Sequence, residues 1–255
     1  MQQASIRYIA IGDSFTEGVG DEQPDGSVRG WADNVAQGIA DATGEPVQYA
    51  NLAIRGRLLG RIIAEQLETA IALGPTLVSF NGGGNDMLRP GTDIPWIVAE
   101  TDKALRRLQA AGIEPLLLAG PNPTGGLPNG GRVARLGDEL TREAGELAAS
   151  LGIRFADNWN DRELARRQYW SRDRLHLAPV GHRRVAANVL AALGYAAPAD
   201  WVVDAAPVAA PTAREQLAYT REHVLPWIGR RLTGRSSGDG RSAKYAEFVR
   251  VEPRA

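Results

Sequence analysis

The chain has 255 residues, of which 44% are hydrophobic and 23% charged, and its formal net charge is −1. That length suits one α/β domain with an appendage, and the balanced charge gives no global field that would recruit nucleic acid or an anionic membrane. The absence of cysteine removes disulfides, thiolate nucleophiles and cysteine metal sites together.

Met1 to Ser5 is a short polar lead, and Ile6–Gly12 reads as a buried strand directly after it. No charged region with an apolar run and cleavage site precedes that strand, which sets the expectation of a cytoplasmic protein. No apolar stretch reaches the roughly 18 residues that a membrane span requires. Further strands are predicted at Val47–Ala53, Thr76–Asn81, Glu114–Gly120 and Arg154–Asp157. Helical patterns lie between them, near Trp31–Ala42, Leu58–Leu73, Ile94–Ala111 and Arg132–Ser150, and a last helix runs from about Pro179 to Leu193. Ile94, Ile97, Val98, Thr101, Leu105 and Leu108 recur at three- and four-residue steps, which gives one helix face to bury. Strands alternating with helices predict a parallel sheet of about five strands with helices on both faces. Ligands in such sheets sit beyond the carboxyl ends of the strands. Residues 1–196 form the predicted domain. Residues 197–255 read as a C-terminal extension packed on its surface through Trp227, Tyr245 and Phe248, with a helix within Thr212–Arg231 and a flexible Gly234–Gly240 loop.

Four short segments carry chemistry, and each follows a predicted strand or precedes the final helix. Gly12-Asp13-Ser14 presents a serine at the end of the first strand; read alone, Asp13 and Ser14 could merely cap a helix. Asp173-Arg174-Leu175-His176 offers an imidazole with a carboxylate three residues away. Serine needs such a base at neutral pH, and the base needs a carboxylate to fix its tautomer. Asn81–Asp86 contains three glycines, a turn from which the Asn85 amide can aim at a developing oxyanion. Asn51–Gly56 ends in a glycine whose N–H could point at the same oxygen; alone it is an ordinary strand-to-helix turn. A P-loop reading fails, since no Gly-Lys-Ser/Thr ending is present. His182 and His223 read as structural, His182 as an exposed or edge-of-core residue on the final helix.

Together the order and spacing of these blocks resemble the SGNH (GDSL-type) hydrolase family over roughly residues 6–193. Gly12-Asp13-Ser14 matches the nucleophile block, in the form GDSF, Gly56 the glycine block, Gly83–Asp86 the G-x-N-D block and Asp173-x-x-His176 the last block. The resemblance implies a flavodoxin-like three-layer fold, a triad of Ser14, His176 and Asp173, and an oxyanion hole from the N–H groups of Ser14 and Gly56 plus the Asn85 side chain. It implies neither metal nor organic cofactor. The expected partner is a small-molecule ester, hydrolysed through an acyl-enzyme. Lipid, sugar and small acyl esters all remain open, as does the oligomeric state. Acyl transfer to another alcohol is the rival within the class, and a non-catalytic binding module the rival outside it; binding alone requires no base–carboxylate pair beside a serine. Arg55, Arg57, Met87 and Trp170 are candidate substrate-binding residues. The two arginines would either hold an anionic group near the ester or pair with loop carboxylates such as Asp86 or Asp21. Tyr169, Leu88 and Trp96 could also wall the pocket, and Pro121–Gly131 could be a lid or a plain surface loop.

Overall fold

Short, mostly apolar runs, buried on both faces at the centre of the sheet, form the strands. In the computed structural model, which describes residues 6–123, 130–202, 212 and 237–254, these are β1 (Arg7–Ile11), β2 (Val47–Asn51), β3 (Leu77–Phe80), β4 (Glu114–Ala119) and β5 (Arg154–Asp157). All five are parallel, as expected. A sixth strand, β6 (Tyr245–Val251), comes from the stretch beyond residue 196 and runs antiparallel to β2 at the sheet edge. The strand order is β5-β4-β3-β1-β2-β6.

Helices α1 (Ser14–Glu17) and α2 (Trp31–Thr43) follow β1. The helix after β2 is built in three parts, α3 (Leu59–Ile62), a π-helical turn (Ile63–Leu67) and α4 (Glu68–Ala72), where the sequence predicts one regular helix. Then come α5 (Gly84–Met87), α6 (Ile94–Ala110), α7 (Gly130–Leu151) and α8 (Pro179–Leu193). Alternation along the strands sorts the core into two layers. Tyr8, Ala10, Tyr49, Leu116 and Leu118 pack with α2 and α8, through residues such as Trp31, Val35, Val185 and Val189. Ile9, Ile11, Val78, Phe80 and Leu117 pack on the opposite face with Leu59, Ile62, Ile97 and Leu105. Among the described residues no helix is long and apolar enough to cross a membrane.

The strand order reverses between β1 and β3. β1 connects outward to β2, and β3 connects the other way to β4. A crevice opens at such a switch point, outside the carboxyl ends of the two strands. Ser14 follows β1 there, and Gly82–Asn85 follow β3.

Of the extension, the predicted helix beyond Thr212 and the residues Trp227 and His223 lie outside the described residues. Tyr245 and Phe248 are on β6: the Tyr245 ring meets Tyr49 edge-on at 5.9 Å, and Arg7 lies 4.7 Å over Phe248.

Candidate active site

β1 ends at Ile11, and at the next residue, Gly12, a Cβ would come within 2.4 Å of Thr16 Oγ1. Among the described residues no strand pairs with Gly12. The Gln66 side chain does, accepting from Gly12 N–H at 2.8 Å and donating to its carbonyl at 2.9 Å, and Ile54 N–H also donates to that carbonyl at 3.3 Å. Gln66 belongs to the π-helical turn and is 1% exposed. Asp13 then caps α1, its Oδ1 accepting from Phe15 N–H at 3.1 Å. Ser14 is the first residue of that helix. From the far side Asn51 donates to the Thr16 carbonyl at 2.9 Å, so the serine turn is held on two sides.

The base arrives on a tight turn. Trp170 bridges Leu177 in antiparallel fashion, and Ser171 N–H donates to the His176 carbonyl at 2.8 Å. Arg174 adopts a φ of 54°, an unusual conformation for a residue with a side chain. Asp173 organises the interior of this turn. Its Oδ1 accepts from Ser171 Oγ (2.7 Å) and from the N–H groups of Leu175 (3.0 Å) and His176 (2.9 Å). Its Oδ2 lies 2.5 Å from His176 Nδ1, and His176 Nε2 lies 3.1 Å from Ser14 Oγ. Burial pushes the Asp173 carboxyl up, but the His176 hydrogen bond and charge and the two backbone donors outweigh it and hold it well below the usual range. The carboxylate is therefore charged wherever the imidazole could be neutral. That linear Ser–His–Asp arrangement can withdraw a proton from the hydroxyl while the carboxylate stabilises the imidazolium.

Ser14, Gly56 and Asn85 line one cavity of about 310 Å³ with His176. Gly56 has a φ of 75°, a left-handed conformation that glycine takes without strain. Asn85, on α5, donates through Nδ2 to Asp13 Oδ2 and to the Arg57 carbonyl, both at 3.0 Å. An amide NH₂ has two hydrogens, so both are engaged, and the group must release one to serve an oxyanion. Asp13, which the sequence reading treats only as a helix cap, thus also holds Asn85. Burial raises its pKa to about 6, against the lowering effects of the Phe15 N–H and the His176 charge. Asp86 fastens the same segment to the start of α3, accepting from Leu59 N–H at 3.0 Å.

The candidate substrate residues divide. Met87, Leu88, Trp170 and Arg55 line the cavity. Arg57 is not among its lining residues. Neither arginine pairs with Asp86 or Asp21. Arg55 grips Glu17 of α1, with backbone N–H to Oε2 at 2.7 Å and Nε to both oxygens at 2.9 and 3.0 Å. Arg57 donates to Glu65 at 2.7 Å and is 8% exposed. Tyr169 is buried in the core, and Trp96 is an exposed side chain on α6. Of the Pro121–Gly131 segment, Pro121 and Pro123 line the cavity, and 124–129 lie outside the described residues.

His182 corrects the sequence reading. It is fully buried, its Nδ1 accepting from Trp31 N–H at 3.2 Å and its Nε2 donating to the Val19 carbonyl at 3.1 Å. Burial lowers its pKa to about 4, so it is a neutral brace that ties α8 and α2 to the chain just past α1. Helical periodicity places it on α8 but carries no information about the loop that covers it.

The chain matches the model of the GDSL-like lipase/acylhydrolase family over residues 10–184. None of the curated proteins matches it in sequence. In architecture it is similar to TesA, at 23% identity and a TM-score of 0.60, covering 73% of this chain and 97% of TesA. It is also similar to Axe2, an acetylxylan esterase from Geobacillus stearothermophilus, at 20% identity and a TM-score of 0.63, covering 80% of this chain and 100% of Axe2. The psychrotrophic esterase EstA from Pseudoalteromonas sp. aligns at 18% identity with a TM-score of 0.59, covering 74% and 96% of the two chains.

Proposed function

We propose, from the premise that this chain belongs to the GDSL-like lipase/acylhydrolase family and is an ester hydrolase, that it cleaves a carboxylic ester through an acyl-enzyme on Ser14. The observation that carries the reading is the relay of 3.1 Å from Ser14 Oγ to His176 and 2.5 Å from His176 to Asp173. His176 takes the Ser14 proton as the hydroxyl oxygen attacks the acyl carbon. The tetrahedral oxyanion is stabilised by the N–H groups of Ser14 and Gly56 and by Asn85, which exchanges its bond to Arg57 or Asp13 for one to the substrate. The protonated imidazole then gives its proton to the leaving alcohol. Water, deprotonated in turn by His176, releases the acid and restores Ser14.

The acyl group in this reading is apolar and longer than acetyl. Beyond Ser14 the cavity is walled by Phe80, Leu117, Val133, Leu140, Ala144 and Trp159. Val133, Leu140 and Ala144 all lie on α7, and the eleven steps from Val133 to Ala144 at about 1.5 Å each span about 16 Å. Apolar walls of that extent favour burial of a chain, at about 0.8 kcal/mol per methylene. Arg55 supports this choice, because its guanidinium is already neutralised by Glu17.

A fluorophosphonate probe should label wild-type protein at Ser14 and leave Ser14→Ala unlabelled. A series of p-nitrophenyl esters should then show kcat/KM rising from acetate toward longer chains. Absence of labelling would remove the nucleophile, and a maximum at acetate would remove the acyl-chain reading alone.

A further inference from the structure

The stretch that begins at Ser237 meets the active site from outside the family-matched span. β6 runs antiparallel to β2, with Tyr245 opposite Asn51 and Val251 opposite Val47. The chain leading into β6 therefore arrives at the carboxyl end of β2, the end that continues into Ile54, Arg55 and Gly56. Gly238 lies directly against that turn. A Cβ there would stand 2.1 Å from the Arg55 carbonyl oxygen and 2.9 Å from Ile54 Cγ2. Ser237 lines the same cavity as Ser14, Gly56 and His176.

The segment is fastened rather than draped. The Lys244 side chain is only 8% exposed, and its Nζ donates to the Arg29 carbonyl (2.6 Å), Asp33 Oδ2 (2.7 Å) and the Glu17 carbonyl (3.3 Å). Glu17 is also the carboxylate that holds Arg55 from the other side, through its backbone N–H and its guanidinium. Arg55 thus sits between the end of α1 and the backbone of Gly238.

The Arg55 carbonyl and the Gly56 N–H belong to one planar peptide group and point in opposite directions. Whatever fixes the carbonyl fixes the N–H. Gly56, lacking a Cβ, does little to restrain that peptide by itself. We infer that Gly238 is a positioning residue for the oxyanion hole: its bare Cα, packed on the Arg55 carbonyl, holds the Arg55–Gly56 peptide in the orientation that turns its N–H toward the acyl oxygen. The inference rests on the reading of Gly56 as an oxyanion donor.

Gly238→Ala tests it. Gly238 is not among the residues at positive φ, so alanine fits the backbone there, and the added methyl acts through the Arg55 contact. Loss of a whole oxyanion donor costs about a hundred- to a thousandfold in kcat, so a displaced one should cost about ten- to a hundredfold, with KM within about twofold and the thermal midpoint retained. Affinity for an alkyl boronic acid, which forms a tetrahedral adduct on Ser14, should fall by the same factor, and affinity for the corresponding alcohol should not. Full kcat in the folded variant overturns the inference, as does a loss shared equally by kcat, alcohol binding and thermal midpoint. Should the variant fail to fold, [¹⁵N]glycine-labelled wild-type protein decides. Boronic acid must shift the amide signals of both Gly56 and Gly238, and an unmoved Gly238 overturns the claim. An unshifted Gly56 would instead defeat the oxyanion reading itself.

Discussion

Replacing His182 by glutamine should change how the protein responds to acid more than how it behaves at neutral pH. Glutamine keeps one acceptor and a donor, but not the rigid spacing with which the ring bridges Trp31 N–H and the Val19 carbonyl. One of those buried groups is then poorly paired, at a cost of about 1–3 kcal/mol at pH 7.5. The wild-type protein carries a different liability. An unfolded imidazole titrates near 6.5, whereas burial lowers His182 to about 4 in the folded state. As pH falls, the unfolded chain takes up that proton first, so the stability that the neutral ring supplies is present above about 6.5 and is lost on the way down to about 4. At pH 4.5 the loss amounts to about 2–3 kcal/mol, and the variant does not suffer it. Asp13 and Asp33, whose pKa values burial raises to about 6, titrate in the same window with the opposite sign, but they are common to both proteins. Urea unfolding at the two pH values should therefore show the wild-type advantage at pH 7.5 closing or reversing at pH 4.5. A gap that stays constant would refute the reasoning. So would an imidazole NMR titration in which all three histidines protonate near 6.5.

Ser14→Ala and His176→Ala should each abolish esterase turnover, and the double variant should be no worse than either, since the two groups share one step; multiplying losses in kcat would separate them. Asp13→Asn leaves one acceptor where Phe15 N–H and Asn85 need two, and should lower kcat about ten- to a hundredfold with little change in thermal midpoint. Activity equal to wild type would mean that Asp13 only caps α1. Gly137→Ala would place a methyl 2.0 Å from the Trp159 ring and should cost about 1–3 kcal/mol in urea unfolding. Gly145→Ala on the same helix, 3.4 Å from Phe155, is the control, and equal effects would show that the Trp159 contact is unimportant.

The central parallel strands were legible because burial on both faces leaves nearly unbroken apolar runs such as Tyr8–Ile11 and Pro115–Ala119, with no polar face to blur them. The reacting groups were legible because each lies in a short local motif; Asp173 and His176 stand three residues apart. What escaped the sequence depends on distant partners. His182 meets Trp31 and Val19 across 151 and 163 residues, and the helical pattern around it would read the same with the ring in water. Arg55 finds Glu17 across 38 residues rather than a nearer loop carboxylate, and the Asn85–Asp13 bond spans 72. β6 was missed for another reason. It is an edge strand with no fully buried residue, so Tyr245–Val251 lacks the buried apolar run that marks β1 and β4.

Gln66 stands to Gly12 as a detached peptide group. A primary amide offers one carbonyl and an N–H on a single plane, which is what a neighbouring strand offers a residue in mid-sheet. The side chain thus closes the hydrogen-bond ladder two residues before the nucleophile, without a strand having to run there and crowd the crevice. Glutamate lacks the donor and asparagine is one methylene too short. The serine's footing is therefore set by the rotational phase of a helix on the far side of β1. Deleting one residue from 63–65 would turn everything beyond it by about 100° and swing Gln66 off Gly12. The irregular turn is in this sense a setting rather than a flaw, and a tidier helix would leave the Gly12 N–H without its partner.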